Sequence, residues 1–175
     1  MVKIIIADKD QHAPQLRELI GEYLGWVNLK LNEEFGLNFD VSEAVESNMA
    51  DLGKFLPPTG RLLLSFAGEE ASGIGCLKYL SPGVGEIKRM YVRPQYRRCG
   101  IGHALLERLF EQAIRSGYAW LRLDSTRFMS DAHRLYRSFG FHEIEAYEGS
   151  EIQKEYQQHW IFMEAKLPGT KQVAG

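Results

Sequence analysis

The segment from Arg97 to Gly102 is the part of the sequence whose residue types and spacing most directly suggest chemistry. It has the sequence Arg-Arg-Cys-Gly-Ile-Gly, follows an apolar run and opens an amphipathic helical pattern. Glycines at the start of a helix let the backbone approach a ligand closely, and the first N–H groups point outward at the positive end of the helix dipole. Anionic phosphates bind well at such a place, so the segment predicts a site for a phosphorylated cofactor.

The elements that must position this segment alternate between strands and helices. Apolar runs bounded by turn residues predict strands over 2–7, 61–67, 72–80, 85–92, 118–123, 141–147 and 160–167. Helical spacing predicts a helix from Pro14 to Leu31, a second helix capped by Asp40 and Glu43, and two more over 101–116 and 130–139. Residues 32–39 are predicted to form a loop. This order favours an α/β fold in which a mixed, twisted sheet carries helices on both faces.

Composition limits the classes of protein to consider. The chain has 175 residues, of which 45% are hydrophobic and 25% charged, which is typical of a globular protein with a real core. A net charge of −2 argues against a non-specific nucleic-acid binder. Cys76 and Cys99 form no C-x-x-C pair and the histidines lack metal-ligand spacing, so we expect no metal. Two cysteines are too few for a disulfide framework, which favours a reduced, cytoplasmic setting. The first apolar run is too short for a signal peptide or a membrane span and predicts a strand.

Two motifs resemble those of the GNAT superfamily of N-acetyltransferases. The first is Val92-x-Pro94-x-x-Arg97-x-x-Gly100-x-Gly102, which is similar to the family's acyl-CoA signature. The second is Ala132-x-x-x-Tyr136-x-x-x-Gly140-Phe141, which resembles a helix that ends in Gly-Phe in the family. Each motif alone is moderately specific, whereas the ordered pair, with the strand pattern around it, is a strong signal. The resemblance implies one GNAT-like domain over 1–167 with a mostly antiparallel sheet of about seven strands. Its terminal position predicts that the tail over 168–175 is disordered.

The resemblance also implies acetyl-CoA as the co-substrate. In the family, the pyrophosphate of coenzyme A binds to backbone N–H groups of the glycine loop, and the pantetheine arm pairs with the end of the preceding strand. Carried over residue by residue, the loop positions are Arg97, Arg98, Cys99, Gly100, Ile101 and Gly102. The strand positions are Met90, Tyr91 and Val92.

Two further residues are candidate catalysts by resemblance. Glu86 lies on the strand before the loop, where some family members carry a glutamate that deprotonates the amine. A structural ion pair with Lys88, Arg89 or another cation is the alternative for Glu86. Tyr136 matches the residue whose hydroxyl faces the thioester sulfur and acts as an acid. Its helical spacing by itself favours a core position, and the family match reverses that interpretation.

The chain departs from the family pattern at one cofactor-contacting position. Many members carry an Asn seven residues before the tyrosine, where this chain has Met129. Asp124, Ser125, Thr126 and Ser130 are the nearby polar replacements. In the predicted loop over 32–39, Glu34 and Phe35 are candidates for binding a cationic amine, with a solvated acidic loop as the alternative. Specificity is expected to depend on this loop and on residues 147–160.

These observations predict an N-acetyltransferase that moves the acetyl group of acetyl-CoA to a primary amine by direct attack in a ternary complex. The expected acceptor is a small molecule, an amino acid or a peptide, and the resemblance favours a homodimer. Protein N-terminal or lysine acetylation is the rival within the enzyme class. A non-catalytic acyl-CoA binding or sensing module is the rival outside it, since such a module needs neither Glu86 nor Tyr136.

Overall fold

A seven-stranded sheet runs through the computed structural model, which describes residues 1–169. The strands in chain order are β1 (Val2–Ile6), β2 (Arg61–Ala67), β3 (Glu70–Ser81), β4 (Val84–Val92), β5 (Trp120–Thr126), β6 (His142–Ile144) and β7 (Trp160–Lys166). Their order in the sheet is β1-β2-β3-β4-β5-β7-β6. Only β4 and β5 pair in parallel, and every other pair is antiparallel. The mixed, mostly antiparallel sheet is therefore confirmed.

Helices cover both faces of this sheet. They are α1 (Ala13–Phe35), α2 (Val41–Ala50), α3 (Ile101–Arg115) and α4 (Ser130–Ser138). On β2, Leu62 and Leu64 pack in the core beneath α1, whereas Leu63 packs in the core beneath α3, because successive side chains of a strand point to opposite faces. Burial of each such leucine contributes about 1.5–3 kcal/mol. Two separate cores thus fix the sheet between its helices.

The boundary of α1 differs from the sequence prediction. Residues 32–35 continue the helix, and the predicted loop over 32–39 is wrong for these four positions. The helix ends where Gly36 adopts a left-handed conformation (φ 67°) and its N–H donates to the Asn32 carbonyl at 3.0 Å. Asp40 then caps α2 by accepting the Glu43 N–H at 2.8 Å, as predicted.

A β-bulge in β4 is the fold feature that opens the sheet. Between the paired positions Ile74–Tyr91 and Cys76–Lys88, β3 advances by two residues and β4 by three. Arg89 takes up the extra residue with φ 56°, an unusual value for a side chain other than glycine. The parallel pairing of β4 with β5 is confined to Val84–Glu86, opposite Trp120–Arg122. Beyond Glu86, the two strands separate and leave a cleft between them.

The C-terminal residues add one anchor to the sheet. Leu167 is buried and its N–H donates to the Ala119 carbonyl at 2.8 Å. The predicted disorder of the tail falls almost entirely on 170–175, which lie outside the described residues. Among the helices that the structure describes, none combines the length and apolar character that crossing a membrane requires.

Candidate active site

The loop before α3 presents unpaired backbone donors to solvent. After a 3-10 turn over Pro94–Tyr96, Arg98 (φ 61°) and Gly100 (φ 80°) adopt left-handed conformations, and α3 begins at Ile101. Within residues 1–169, the backbone N–H groups from Arg98 to His103 donate no hydrogen bond to a backbone carbonyl. A Cβ added at Gly100 would meet no protein atom within 4 Å, so its exposed side is open. Such a concave row of N–H groups is a ready anion site.

The two arginines of the loop differ in their placement. Arg97 turns back, so that its Nε donates to the Val92 carbonyl at 2.9 Å and its guanidinium lies over the Trp26 and Tyr91 rings at 5.6 and 5.7 Å. Arg98 and Cys99 are exposed at the loop surface. Arg97 therefore ties the loop to the end of β4, while Arg98 supplies a free positive charge beside the unpaired donors.

Arg93, which sequence reasoning did not single out, anchors the start of the loop. Its buried guanidinium donates to Glu22 at 2.8 Å, to Glu70 at 2.9 Å and to the Ala71 carbonyl at 2.8 Å. These contacts join α1, β3 and the loop, and the hydrogen bond with Glu22 is the main cause of a raised Arg93 pKa. No local pattern in the sequence reveals this role, because the three partners are distant along the chain.

A small cavity of about 40 Å³ lies in the cleft between β4 and β5. Its lining comprises Tyr23, Ile87, Lys88, Arg89, Met90, Leu123, Asp124, Ser125, Met129 and Tyr136. Met90, predicted at the pantetheine edge, and Tyr136, the predicted acid, are thus brought together here. Burial first, then Tyr23 and Asp124, raise the pKa of Tyr136, so its hydroxyl stays protonated and able to donate.

A second cavity of about 210 Å³ adjoins the first beneath α1. Its lining comprises Tyr23, Leu24, Val27, Leu31, Phe39, Lys88, Arg89, Asp124, Ser125, Thr126, Glu151, Ile152 and Trp160. The two cavities share Tyr23, Lys88, Arg89, Asp124 and Ser125. A molecule in either cavity would therefore meet the same charged groups, and a reaction between two bound molecules would take place at these shared residues.

The residues shared by the two cavities form a junction, and the charged side chains at this junction alternate in sign. Lys88 Nζ lies 2.9 Å from Asp124 and 3.5 Å from Glu151, and an Arg89 Nη lies 3.8 Å from Glu151. Burial opposes the charge on Lys88, but Asp124, Glu86 and Glu151 together outweigh it and raise the Lys88 pKa. Burial likewise opposes the charge on Glu151, yet Lys88, Lys54 and Arg89 lower its pKa to about 2. Both groups are held ionised at neutral pH.

Glu86 lies beside this junction and lines neither cavity. Its side chain is fully buried, and one carboxylate oxygen accepts the Tyr147 hydroxyl at 2.7 Å. The other oxygen lies 3.5 Å from Lys78 Nζ and accepts no hydrogen bond within the described chain. Burial, followed by the charge of Glu86, strongly raises the pKa of Tyr147, so that the tyrosine remains a donor. The ion-pair alternative for Glu86 thus has a partner, Lys78.

The two residues predicted to attract an amine lie on the last turn of α1. Glu34 is exposed, and Phe35 stacks on the His159 ring with centroids 4.1 Å apart. Neither side chain lines either cavity. From the two segments expected to set specificity, Phe39, Glu151, Ile152 and Trp160 do line the larger cavity.

Met129 lies in the smaller cavity, where the family Asn was expected. The Ser125 hydroxyl donates to its Sδ at 3.5 Å and lies 2.9 Å from His133 Nε2. Of the polar replacements considered from the sequence, Asp124 and Ser125 line this cavity and Thr126 lines the larger one. Sequence reasoning considered Asp124 only as a replacement for the family Asn and missed its central position, because the predicted strand ended at Leu123, one residue before it.

Comparisons with known proteins agree with this geometry. A family model described as an acetyltransferase (GNAT) domain matches residues 59–143. An uncharacterized N-acetyltransferase of Schizosaccharomyces pombe is 30% identical over 78% of this chain and 80% of its own length. A GNAT-family acetyltransferase structure from Staphylococcus aureus superposes with a TM-score of 0.73 at 18% identity, covering 95% of this chain and 99% of that one. A PaiA N-acetyltransferase from Thermoplasma acidophilum, solved in complex with coenzyme A, gives a TM-score of 0.69 at 19% identity, covering 95% of this chain and 99% of that one.

Proposed function

Because the chain belongs to the GNAT family of acetyl-CoA-dependent N-acetyltransferases, we propose that it acetylates a primary amine of a small molecule, an amino acid or a peptide. The observation that carries this proposal is the pair of adjoining cavities with a shared charged junction. One cavity lies at the open edge of β4 and contains Tyr136, and the other has room for an acceptor. Direct attack in a ternary complex follows, because both molecules would be bound at once.

The loop and the open strand edge fit coenzyme A. Acetyl-CoA supplies an acetyl group activated as a thioester. The unpaired N–H groups from Arg98 to Gly102 would bind its pyrophosphate, and the exposed Arg98 adds charge. Beyond Glu86, the edge of β4 that faces β5 has no strand partner within residues 1–169, so Met90 to Val92 are available for main-chain pairing with the pantetheine arm.

Proton transfer requires a base for the ammonium and an acid for the departing sulfur. We assign the acid to Tyr136, because it lines the smaller cavity and its raised pKa keeps it protonated. Two carboxylates are candidates for the base. Asp124 lines both cavities, whereas Glu86, the residue favoured by resemblance, is separated from them and hydrogen-bonded to Tyr147. The position of Asp124 supports it as the group that receives the proton.

The size of the larger cavity supports a small acceptor over a protein chain. Its volume of about 210 Å³ lies below the roughly 300–1,000 Å³ of sites for drug-sized ligands. A cytoplasmic location stays a prediction. The two free cysteines, Cys76 and Cys99, support it.

A screen of amines tests the proposed activity. Purified protein is mixed with acetyl-CoA and single amines, and release of free CoA is followed with a thiol reagent. Because Cys99 is exposed and can react with the reagent, each plate needs a blank without amine and a parallel plate with Cys99→Ser. Amine-dependent CoA release with an acetylated product in the mass spectrum is expected. Release that is independent of every amine would contradict amine acetylation.

A further inference from the structure

The bulge in β4 places two consecutive cations in the larger cavity. In a regular strand, Lys88 and Arg89 would point to opposite faces of the sheet. Here both line the same cavity, because the left-handed backbone of Arg89 (φ 56°) redirects its side chain. Strained conformations of this kind persist where surrounding structure enforces them, and they cluster at ligand sites.

The guanidinium of Arg89 has N–H donors that make no hydrogen bond within the described residues. Its Nε donates to the Asn48 side chain, which fixes the plane of the group. Its nearest carboxylate, on Glu151, lies at 3.8 Å, beyond hydrogen-bonding distance. Among residues 1–169, no acceptor is within hydrogen-bonding reach of either Nη group. A planar fork with free donors beside a cavity suits a carboxylate ligand.

Thr126 provides an independent sign of a polar ligand. The residue is 2% exposed and lines the same cavity, and its hydroxyl oxygen finds no hydrogen-bonding partner in the described part of the chain. Leaving a buried hydroxyl unpaired costs free energy, which a polar ligand group in the cavity would recover.

The remaining lining specifies the rest of the ligand. Two cations, Lys88 and Arg89, and two carboxylates, Asp124 and Glu151, balance each other, so neither a polycation nor a multiply charged anion suits the cavity. The cavity also has an apolar wall, formed by Leu24, Val27, Leu31, Phe39 and Trp160. A zwitterion with an apolar substituent matches both halves.

We propose that the acceptor is a free α-amino acid with an apolar side chain. Its carboxylate binds the Nη groups of Arg89 and the Thr126 hydroxyl, its ammonium faces Asp124, and its side chain packs on the apolar wall. This assignment rests on the proposed acetyl transfer. One ammonium proton leaves to Asp124, the nitrogen bonds to the acetyl carbon as the carbon–sulfur bond breaks, and Tyr136 protonates the sulfur. The second nitrogen proton restores Tyr136, so the products are an N-acetyl amino acid, free CoA and one proton.

A matched series of acceptors tests the carboxylate. L-leucine, L-leucinamide and 3-methylbutylamine share the apolar group and the amine, and only leucine carries the carboxylate. We expect kcat/KM for leucine to exceed that for the other two by roughly tenfold or more, since hydrogen bonds to charged groups are worth that much. L-aspartate and L-lysine should be poorer acceptors than leucine, because their charged side chains would face the apolar wall.

Two variants separate binding by Arg89 from general electrostatics. Arg89→Gln should raise KM for leucine by roughly 10- to 100-fold and reduce the preference for leucine over 3-methylbutylamine. Lys54→Gln is the matched control, because Lys54 also pairs with Glu151, at 2.7 Å, yet lies outside both cavities. It should leave the preference for leucine unchanged.

The outcomes distinguish a failure of the amino-acid assignment from a failure of the proposed acetyl transfer. Equal acetylation of leucine and 3-methylbutylamine, or an unchanged preference in Arg89→Gln, would overturn the amino-acid assignment and leave acetyl transfer standing. If acetyl-CoA raises the melting temperature but no amino acid is acetylated, the assignment also fails, while the cofactor site stands. If acetyl-CoA neither binds nor supports acetylation of any amine, the proposed function fails as well.

Discussion

At the scale of single residues, the structure separates two tyrosines by their surroundings. Tyr136 lies in the cleft, and burial there raises its pKa, so that it keeps its proton. Tyr147 is also buried, but its hydroxyl is committed to Glu86 at 2.7 Å. A proton donor for a departing thiolate must be both protonated and free to approach the sulfur. Tyr136 satisfies both conditions.

Tyr136→Phe should therefore lower kcat by roughly 10²- to 10⁴-fold, because general-acid catalysis is lost. Binding of acetyl-CoA should change little, since the loop and the β4 edge are untouched. Steady-state kinetics and calorimetry with acetyl-CoA provide the measurement. Tyr118→Phe is a suitable control, because it removes a buried hydroxyl that donates to the Thr59 carbonyl, away from both cavities. An equal loss of kcat in both variants would show that Tyr136 is only a packing residue.

The choice of base gives a second prediction at this scale. Asp124→Asn should lower kcat/KM by roughly 10²-fold or more, because the carboxylate borders both bound molecules. Glu86→Gln keeps an acceptor for the Tyr147 hydroxyl and should reduce turnover much less. The opposite ranking, with the larger loss of kcat/KM in Glu86→Gln, would assign the base to Glu86.

At the scale of elements, the sequence predicts the scaffold far better than the junction. Apolar runs predict all seven strands, although β5 continues to Thr126 beyond the predicted 118–123 and β6 spans only His142–Ile144 of the predicted 141–147. The Asp40–Glu43 pair predicts the start of α2. The end of α1 was predicted too early, because Glu33 and Glu34 look like loop residues until Gly36 is seen to cap the helix. The bulge at Arg89 has no local signature, since it arises from the register between β3 and β4. The junction that depends on it could not be predicted for the same reason.

The glycine loop yields a prediction with an internal control. Gly100 (φ 80°) and Gly117 (φ 83°) flank α3, and a Cβ at either position would meet no protein atom within 4 Å. Valine at either site should cost about 1–2 kcal/mol of stability through left-handed strain. Only Gly100→Val should also crowd the pyrophosphate, weakening acetyl-CoA binding by roughly 10- to 100-fold. Calorimetric Kd values compare the two, and an equal affinity in both variants would contradict the loop assignment.

Glu151 links several elements and makes stability depend on pH. Lys88, Lys54 and Arg89 overcome the effect of burial and lower the Glu151 pKa from 4.5 to about 2. A lowered pKa in the folded state contributes stability above pH 4.5, and this contribution is lost as the pH falls towards 2. Glu151→Gln should therefore lower the melting temperature at pH 7, and the gap to the wild type should narrow between pH 4.5 and 2. A gap that stays constant over this range would show that the charge of Glu151 contributes nothing to stability.

At the scale of the whole molecule, one sheet can bind both acetyl-CoA and the acceptor because β4 and β5 separate. Pairing of β4 with β5 up to Glu86 holds the two halves together, and their separation beyond it creates the cleft. The core beneath α3 supports the loop side, and the core beneath α1 supports the acceptor side. Arg93 ties the two sides together through Glu22 on α1 and Glu70 on β3. Binding in the cleft should therefore stabilise the entire fold.

Thermal unfolding measures that coupling directly. A ligand that binds only the folded state at 100 times its Kd adds about 2.7 kcal/mol of stability. For a chain of this length, each kcal/mol raises the melting temperature by about 2–4 °C, so acetyl-CoA should raise it by roughly 5–10 °C. ATP and NAD also carry adenine and phosphates but lack the pantetheine arm that pairs with β4, and they should produce no comparable shift. Pantetheine, which lacks the pyrophosphate, should be much weaker than acetyl-CoA. Equal shifts of the melting temperature with ATP and acetyl-CoA would show that the loop is a general phosphate site and that the β4 edge does not contribute to binding.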